Sequence, residues 1–152
     1  MIDEIIMQEA IKQAQMAAKA DEVPIGAVIV HENKIIARAH NQVEMLKDPT
    51  AHAEMIAITQ AANYLSRKWL HDCTLYVTIE PCSMCVGALV LARIKKIYFG
   101  ARDPKTGACG SVLNIADHDQ LNHKIEVQRG ILGEACGSLL TRFFEKKRHL
   151  IN

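Results

Sequence analysis

Hydrophobic and polar positions along this chain follow two periods, and the switches between them mark out its elements. Over residues 3–20, Ile6, Ala10, Ala14 and Ala17 recur near the 3.6-residue period, joined by Ile2, Ile5 and Ile11, which predicts an amphipathic helix. VPIGAVIV (23–30) is a short apolar, β-branched run and predicts a buried strand. HENK reads as a hairpin turn into a second strand, IIARAHN (35–41). KDPT breaks the pattern, and residues 52–65 then predict a helix. CTLYVTI (73–79) predicts a third strand. PCSMCVGALVLAR opens on Pro81, a residue suited to the first turn of a helix, and runs on as a buried helix to Arg93. KKIYFG (95–100) and KIEVQ (124–128) predict two more strands, with an irregular stretch between them at 101–123. In the last helix, 131–149, Leu132, Ala135, Cys136, Leu139, Leu140, Phe143 and Phe144 form one core-facing stripe.

The order α-ββ-α-β-α-β-β-α implies crossover connections. It predicts an α/β fold: a five-stranded mixed sheet with helices on both faces, a three-layer α/β/α sandwich. The 152 residues suit one domain spanning 1–152. Ligands of such sheets bind at strand C-terminal ends near helix N-termini. Two polar clusters, at residues 52 and 81, stand at such helix starts.

Composition changes this picture little. The chain is 49% hydrophobic and 23% charged, as in ordinary globular proteins, with no run long enough to span a membrane. The N-terminus lacks the basic region of a signal peptide, so a cytoplasmic location is expected. Five cysteines without scaffold-like spacing argue against a disulfide framework and leave metal binding or catalysis open. Net charge is only +1, but it is unevenly spread. Residues 1–64 carry five basic against nine acidic side chains, and residues 65–152 carry thirteen against eight. The basic clusters ARIKK, ARDPK and TRFFEKKRH read either as solvated surface or as a footprint for a polyanion.

The chemistry concentrates in two stretches. EPCSMC places Cys82 and Cys85 three apart at the start of a helix, where both sulfurs face one side. The helix N-terminus favours thiolate, and two thiolates suit Zn²⁺. An imidazole is the commonest complement, and His52 in DPTAHAE enters a helix at the same rim. Three protein ligands leave a tetrahedral zinc one open position, the mark of a catalytic site. Glu54, close by but not a ligand, is then a proton carrier. A thioredoxin-type redox pair would leave His-x-Glu idle and has no Trp before the cysteines. A structural zinc would need a fourth ligand such as Cys109 or Cys136. Cys136 lies on the apolar stripe, Cys73 begins a strand, and Cys109, in a Gly-rich loop, is taken as incidental.

H-A-E followed by P-C-x-x-C is the zinc deaminase signature. Together with TLYVTIEPCSMC, YFGARDPKTGACGS and GILGEAC…LLTRFFEKKR, it closely resembles the bacterial tRNA-specific adenosine deaminases over almost the whole chain. The resemblance implies a cytidine-deaminase-like fold, a homodimer, and hydrolytic deamination of adenosine to inosine at the wobble position (34) of an arginine tRNA. It implies one Zn²⁺ per subunit on His52, Cys82 and Cys85, with Glu54 as the catalytic proton shuttle. It further implies that Asn41 contacts the target nucleotide. The backbone of Ala53 and the segment Pro24, Ile25 and Gly26 would form part of the base pocket, and Asp103 would contact RNA ribose. Arg142, Lys146, Lys147 and Arg148 could hold phosphates, and at most one of Phe143 and Phe144, taken as Phe144, touches RNA. Neither DNA nor a membrane is expected as a partner. Two other readings stay open: a free nucleobase or nucleoside deaminase of guanine or cytosine type on the same site, and an RNA-binding module with a structural zinc.

Overall fold

In the computed structural model, which describes residues 2–151, five strands form one sheet in the order β2-β1-β3-β4-β5. They are β1 (Gly26–His31), β2 (Lys34–His40), β3 (Cys73–Ile79), β4 (Lys96–Ala101) and β5 (Glu126–Gln128). β1 pairs antiparallel with β2 and β3, while β3, β4 and β5 run parallel. The helices are α1 (Ile2–Lys19), α2 (Val43–Leu46), α3 (Ala53–Leu65), α4 (Ser83–Leu91) and α5 (Gly133–Ile151).

The period-2 alternation of the strands explains the three layers. Ala27 and Ile29 of β1, Leu75 and Val77 of β3, and Ile97 and Phe99 of β4 pack with Ala53, Ala57 and Ala61 of α3 and with Val86 and Leu89 of α4. The intervening Val28 and Tyr76 face Met7 and Ala10 of α1 and Cys136 of α5. Each central strand is thus buried on both faces, which is why these strands read as apolar runs. The small residues of α3 let its backbone lie close to the sheet, so its first turn stays in register with the strand ends.

HENK is the expected hairpin: Glu32 and Asn33 have φ of 51° and 63° and form the tight β1–β2 connection. Three expectations need correction. β1 begins at Gly26, because Val23–Ile25 is an extended lead-in in which the Ile25 N–H turns back to the Val23 carbonyl (2.8 Å). Pro81 lies outside α4, whose N-cap is Cys82. The apolar stripe of α5 is not all core. Cys136 is buried, but Ala135 is exposed, Leu132, Leu139, Leu140 and Phe143 are half-buried, and Phe144 is 45% exposed. Periodicity identifies an apolar face but not what covers it, and part of this one lines a cleft. The short helix α2 has no signature in the pattern.

Candidate metal centre and substrate cleft

Two N-cap residues meet at the centre of the site. His52 precedes α3 and Cys82 precedes α4, each with extended backbone (ψ 152° and 174°) and neither with a side-chain capping bond. An N-cap side chain ordinarily turns back onto the N2 or N3 amide. Here both turn toward each other. Cys85, in the first turn of α4, completes the group. His52 Nδ1 lies 3.7 Å from Cys82 Sγ and 3.5 Å from Cys85 Sγ, and the three ligand atoms lie within 4.8 Å of one another. Ordinary Zn–S and Zn–N bond lengths in a tetrahedron imply ligand separations of about 3.5–3.8 Å, so the donor set and its spacing fit Zn²⁺.

The surroundings explain how His52 can give up capping. In DPT, Asp48 Oδ1 accepts from the Thr50 amide (2.8 Å) and hydroxyl (2.7 Å), a local turn that brings the chain to the helix start. The cap comes from another element. Asn41, buried at the end of β2, accepts the Ala53 N–H on its carboxamide oxygen at 2.8 Å. This satisfies one of the orphan donors of α3 and leaves the Asn41 amide nitrogen as a donor.

Charge in the cluster is already divided. The hydrogen bond from the Cys85 thiol, with help from His52 and the Cys85 amide, brings the Cys82 thiol down to about 4. The same contact, together with burial, pushes the Cys85 thiol up. The bond to Cys82 raises His52. Glu54, one residue into α3, is 2% exposed. Burial pushes its carboxyl up to about 7, against the pull of its own backbone amide and of His52. Its Oε1 lacks any hydrogen-bond partner, alone among the buried side-chain oxygens and nitrogens of the described residues. Such a group is costly to bury and marks a carboxyl kept for another role.

The cluster opens on a cleft of about 950 Å³ lined by His52, Asn41, Val23, Ile25, Val43, Glu44, Met45 and Phe143. A second cleft of about 600 Å³ is lined by Ala101–Thr106, Leu140, Thr141 and Arg148. The two share Val23, Ile25 and Phe144. Ile25, Asp103, Phe144 and Arg148 therefore all reach a cleft wall. Pro24 and Gly26 are buried behind it. A Cβ on Gly26 would stand 2.0 Å from the Ala10 carbonyl oxygen, so that glycine lets α1 sit against β1. Ala53 is also fully buried. Arg142 and Lys146 are exposed on α5 outside both sets of lining residues. Lys147 is engaged by Asp21 at 2.8 Å and ties α5 to the end of α1.

Two buried carboxylates escape the sequence reading. Glu22 accepts the amides of Glu44 (3.0 Å) and Met45 (2.8 Å) and so holds α2 in the cleft wall. Glu80 accepts the amides of Asp103, Cys109 and Ser111 and the Ser111 hydroxyl. Cys109, taken as incidental, is 2% exposed and belongs to the core. The one available signal was an acid directly before Pro-Cys, in a strand end otherwise buried.

A MafB19-like deaminase family model matches residues 1–148. The chain is 49% identical over 146 residues to a tRNA-specific adenosine deaminase of Bacillus subtilis, covering 96% of this chain and 91% of that one. It is 51% identical over 148 residues to a tRNA-specific adenosine deaminase of Aquifex aeolicus, covering 97% of each. A solved chain from work on A-to-I editing by tRNA:A34 deaminases at the wobble position superposes with a TM-score of 0.85 at 40% identity, covering 88% of this chain and 97% of that one. A guanine deaminase from Nitrosomonas europaea superposes at 0.79 with 25% identity, covering 92% and 83%. On this extent of identity the chain belongs to the tRNA-specific adenosine deaminases and is a hydrolytic deaminase of that family.

Proposed function

We propose that this enzyme converts adenosine to inosine at the wobble position of an arginine tRNA, using one Zn²⁺ held by His52, Cys82 and Cys85. The observation that carries this reading is the open double cleft. It leads to the His52–Cys82–Cys85 group and is walled by an exposed aromatic, Phe144, and the basic side chains Arg102, Lys105 and Arg148. A site for a free base needs only an enclosed pocket. A base presented on a polynucleotide needs room for flanking phosphates and a surface to stack on.

Zn²⁺ supplies Lewis acidity that makes water a nucleophile near neutral pH. Glu54 accepts a proton from the attacking water and delivers it to the base as ammonia leaves. A carboxyl near pH 7 suits both directions of transfer. Asn41 offers its amide nitrogen to the target nucleotide while its oxygen holds α3. Ile25 and Val23 supply the apolar wall beside the base. Asp103 and Arg148 lie where ribose and phosphate of flanking nucleotides pass. An anticodon loop already presents unstacked bases, so extruding the target costs little.

A homodimer in the cytoplasm completes the reading. Large exposed apolar side chains such as Leu91 (80% exposed) support a partner surface. No helix among the described residues is long and apolar enough to cross a membrane. The test is inosine formation on an arginine-tRNA anticodon stem-loop beside free adenosine and free guanine. Turnover of the stem-loop alone is expected. Turnover of free guanine with an inert stem-loop would overturn the proposal in favour of the nucleobase reading.

A further inference from the structure

Glu80 is 2% exposed, yet both of its carboxylate oxygens are fully used. Oε2 accepts the amides of Cys109 (2.9 Å) and Ser111 (3.1 Å). Oε1 accepts the Ser111 hydroxyl (2.5 Å) and the Asp103 amide (3.2 Å). The chain crosses this carboxylate closely: a Cβ on Gly107 would stand 2.4 Å from its carboxyl carbon. The residues around it belong to two functional parts. Pro81 accepts the Ala108 amide at 2.9 Å, and Cys82 bridges to Gly107, which ties this loop to the metal-ligand segment. At the loop's other end, Asp103 organises a turn by accepting the amides of Lys105 (3.0 Å) and Thr106 (3.2 Å), and this turn is one wall of the substrate cleft.

We propose that Glu80 is a positioning residue that holds the Asp103–Thr106 wall of the cleft at a set distance from the Cys82 ligand loop, and so governs RNA binding rather than the chemical step. The proposal rests on the RNA reading of the cleft given above.

The geometry predicts a selective variant. In Glu80→Gln, two backbone N–H donors at Oε2 demand an oxygen there. The new amide nitrogen must therefore occupy the Oε1 position. The Ser111 hydroxyl can reverse and accept from it. The Asp103 amide cannot, and of the three backbone amides on Glu80 it alone loses its acceptor.

The zinc-loaded full-length protein is compared as wild type, E80Q, E80D and S111A, by hydrogen exchange without RNA and by steady-state kinetics on the anticodon stem-loop. E80Q is expected to speed exchange within residues 103–106 but not at Cys109. It should raise KM roughly five- to tenfold, the equivalent of about 1–1.4 kcal/mol, with kcat and zinc content unchanged. E80D, whose shorter side chain draws both oxygens back from the loop, should speed exchange at Cys109 as well as within 103–106. It should raise KM in the same way, and it carries the KM test if E80Q does not fold. S111A leaves the Asp103 amide bonded and should keep wild-type exchange at 103–106, although it also frees Arg102, whose Nε donates to the Ser111 hydroxyl (3.2 Å). Unchanged exchange at 103–106, faster exchange with unchanged KM, or a fall in kcat or zinc content would each overturn the proposal. If wild type does not turn over the stem-loop, the RNA reading fails, whereas the exchange measurement still tests the hold on the loop.

Discussion

The Asn41 oxygen caps α3, and its amide nitrogen is the proposed donor to the target nucleotide; substitution can separate the two. The cap runs through the Ala53 amide at 2.8 Å, in a buried position. Asn41→Ala leaves that amide without a partner. Losing a helix N-cap costs about 0.5–2 kcal/mol, and orphaning a buried donor costs about 1–3 kcal/mol. These describe the same lost bond, so the expected cost is about 1–2 kcal/mol, not their sum. For a chain of this length that lowers Tm by roughly 2–8 °C, read by calorimetry on the zinc-loaded protein. Because Ala53 follows His52 directly, the ligand geometry loosens too, and zinc affinity should fall with stability. Asn41→Asp keeps an oxygen facing the helix N-terminus, where negative charge is favourable. It should regain much of the lost Tm. It has no N–H to offer the nucleotide, so kcat/KM on the stem-loop should stay at least about tenfold down, the equivalent of about 1.4 kcal/mol. An Asn41→Ala protein with wild-type Tm would refute the cap, and a fully active Asn41→Asp would refute the donor.

Glu54→Gln should keep zinc and fold, by metal analysis and calorimetry, while inosine formation falls by about 10²–10⁴; retention of a tenth of the wild-type rate would remove Glu54 from the proton path. Neutralising Arg148 should weaken stem-loop binding and reduce its salt slope by about one unit, more than neutralising Lys147, which Asp21 already engages; equal slopes for all variants would show that the end of α5 does not meet phosphate. Burial raises the Glu80 carboxyl, but the Ser111 hydroxyl and three backbone amides outweigh it and leave the group below its ordinary 4.5. A depressed acid adds stability that is present above pH 4.5 and lost as pH falls through the folded-state value. The stability gap between wild type and S111A should therefore be full at pH 6–7 and close on acidification below about pH 4.5; a gap that widens in acid would contradict the sign.

Much of this molecule can be read from its pattern. Alternation in the strands and spacing in the helices report locally which side of each element avoids water. The sheet, its covering helices and the core cysteines Cys73 and Cys136 follow from that alone. The two halves of the candidate metal centre, His52 and the Cys82–Cys85 pair, are legible as well, because two thiols and an imidazole at helix starts suit a metal ion. A carboxylate in a sequence, however, looks the same whether water or the backbone satisfies it. Only the folded chain shows that Glu80 is held by amides 23 to 31 residues on, that Glu22 holds α2, or that Asn41 caps a helix it does not belong to. The same holds for the stripe of α5, where spacing told which side is apolar and tertiary packing decided that Phe144 lines a cleft. Periodicity encodes partition between water and core, a property of each element by itself. The pairing of donors with acceptors across the fold depends on how elements are set against one another, and that is where the walls of the cleft are made.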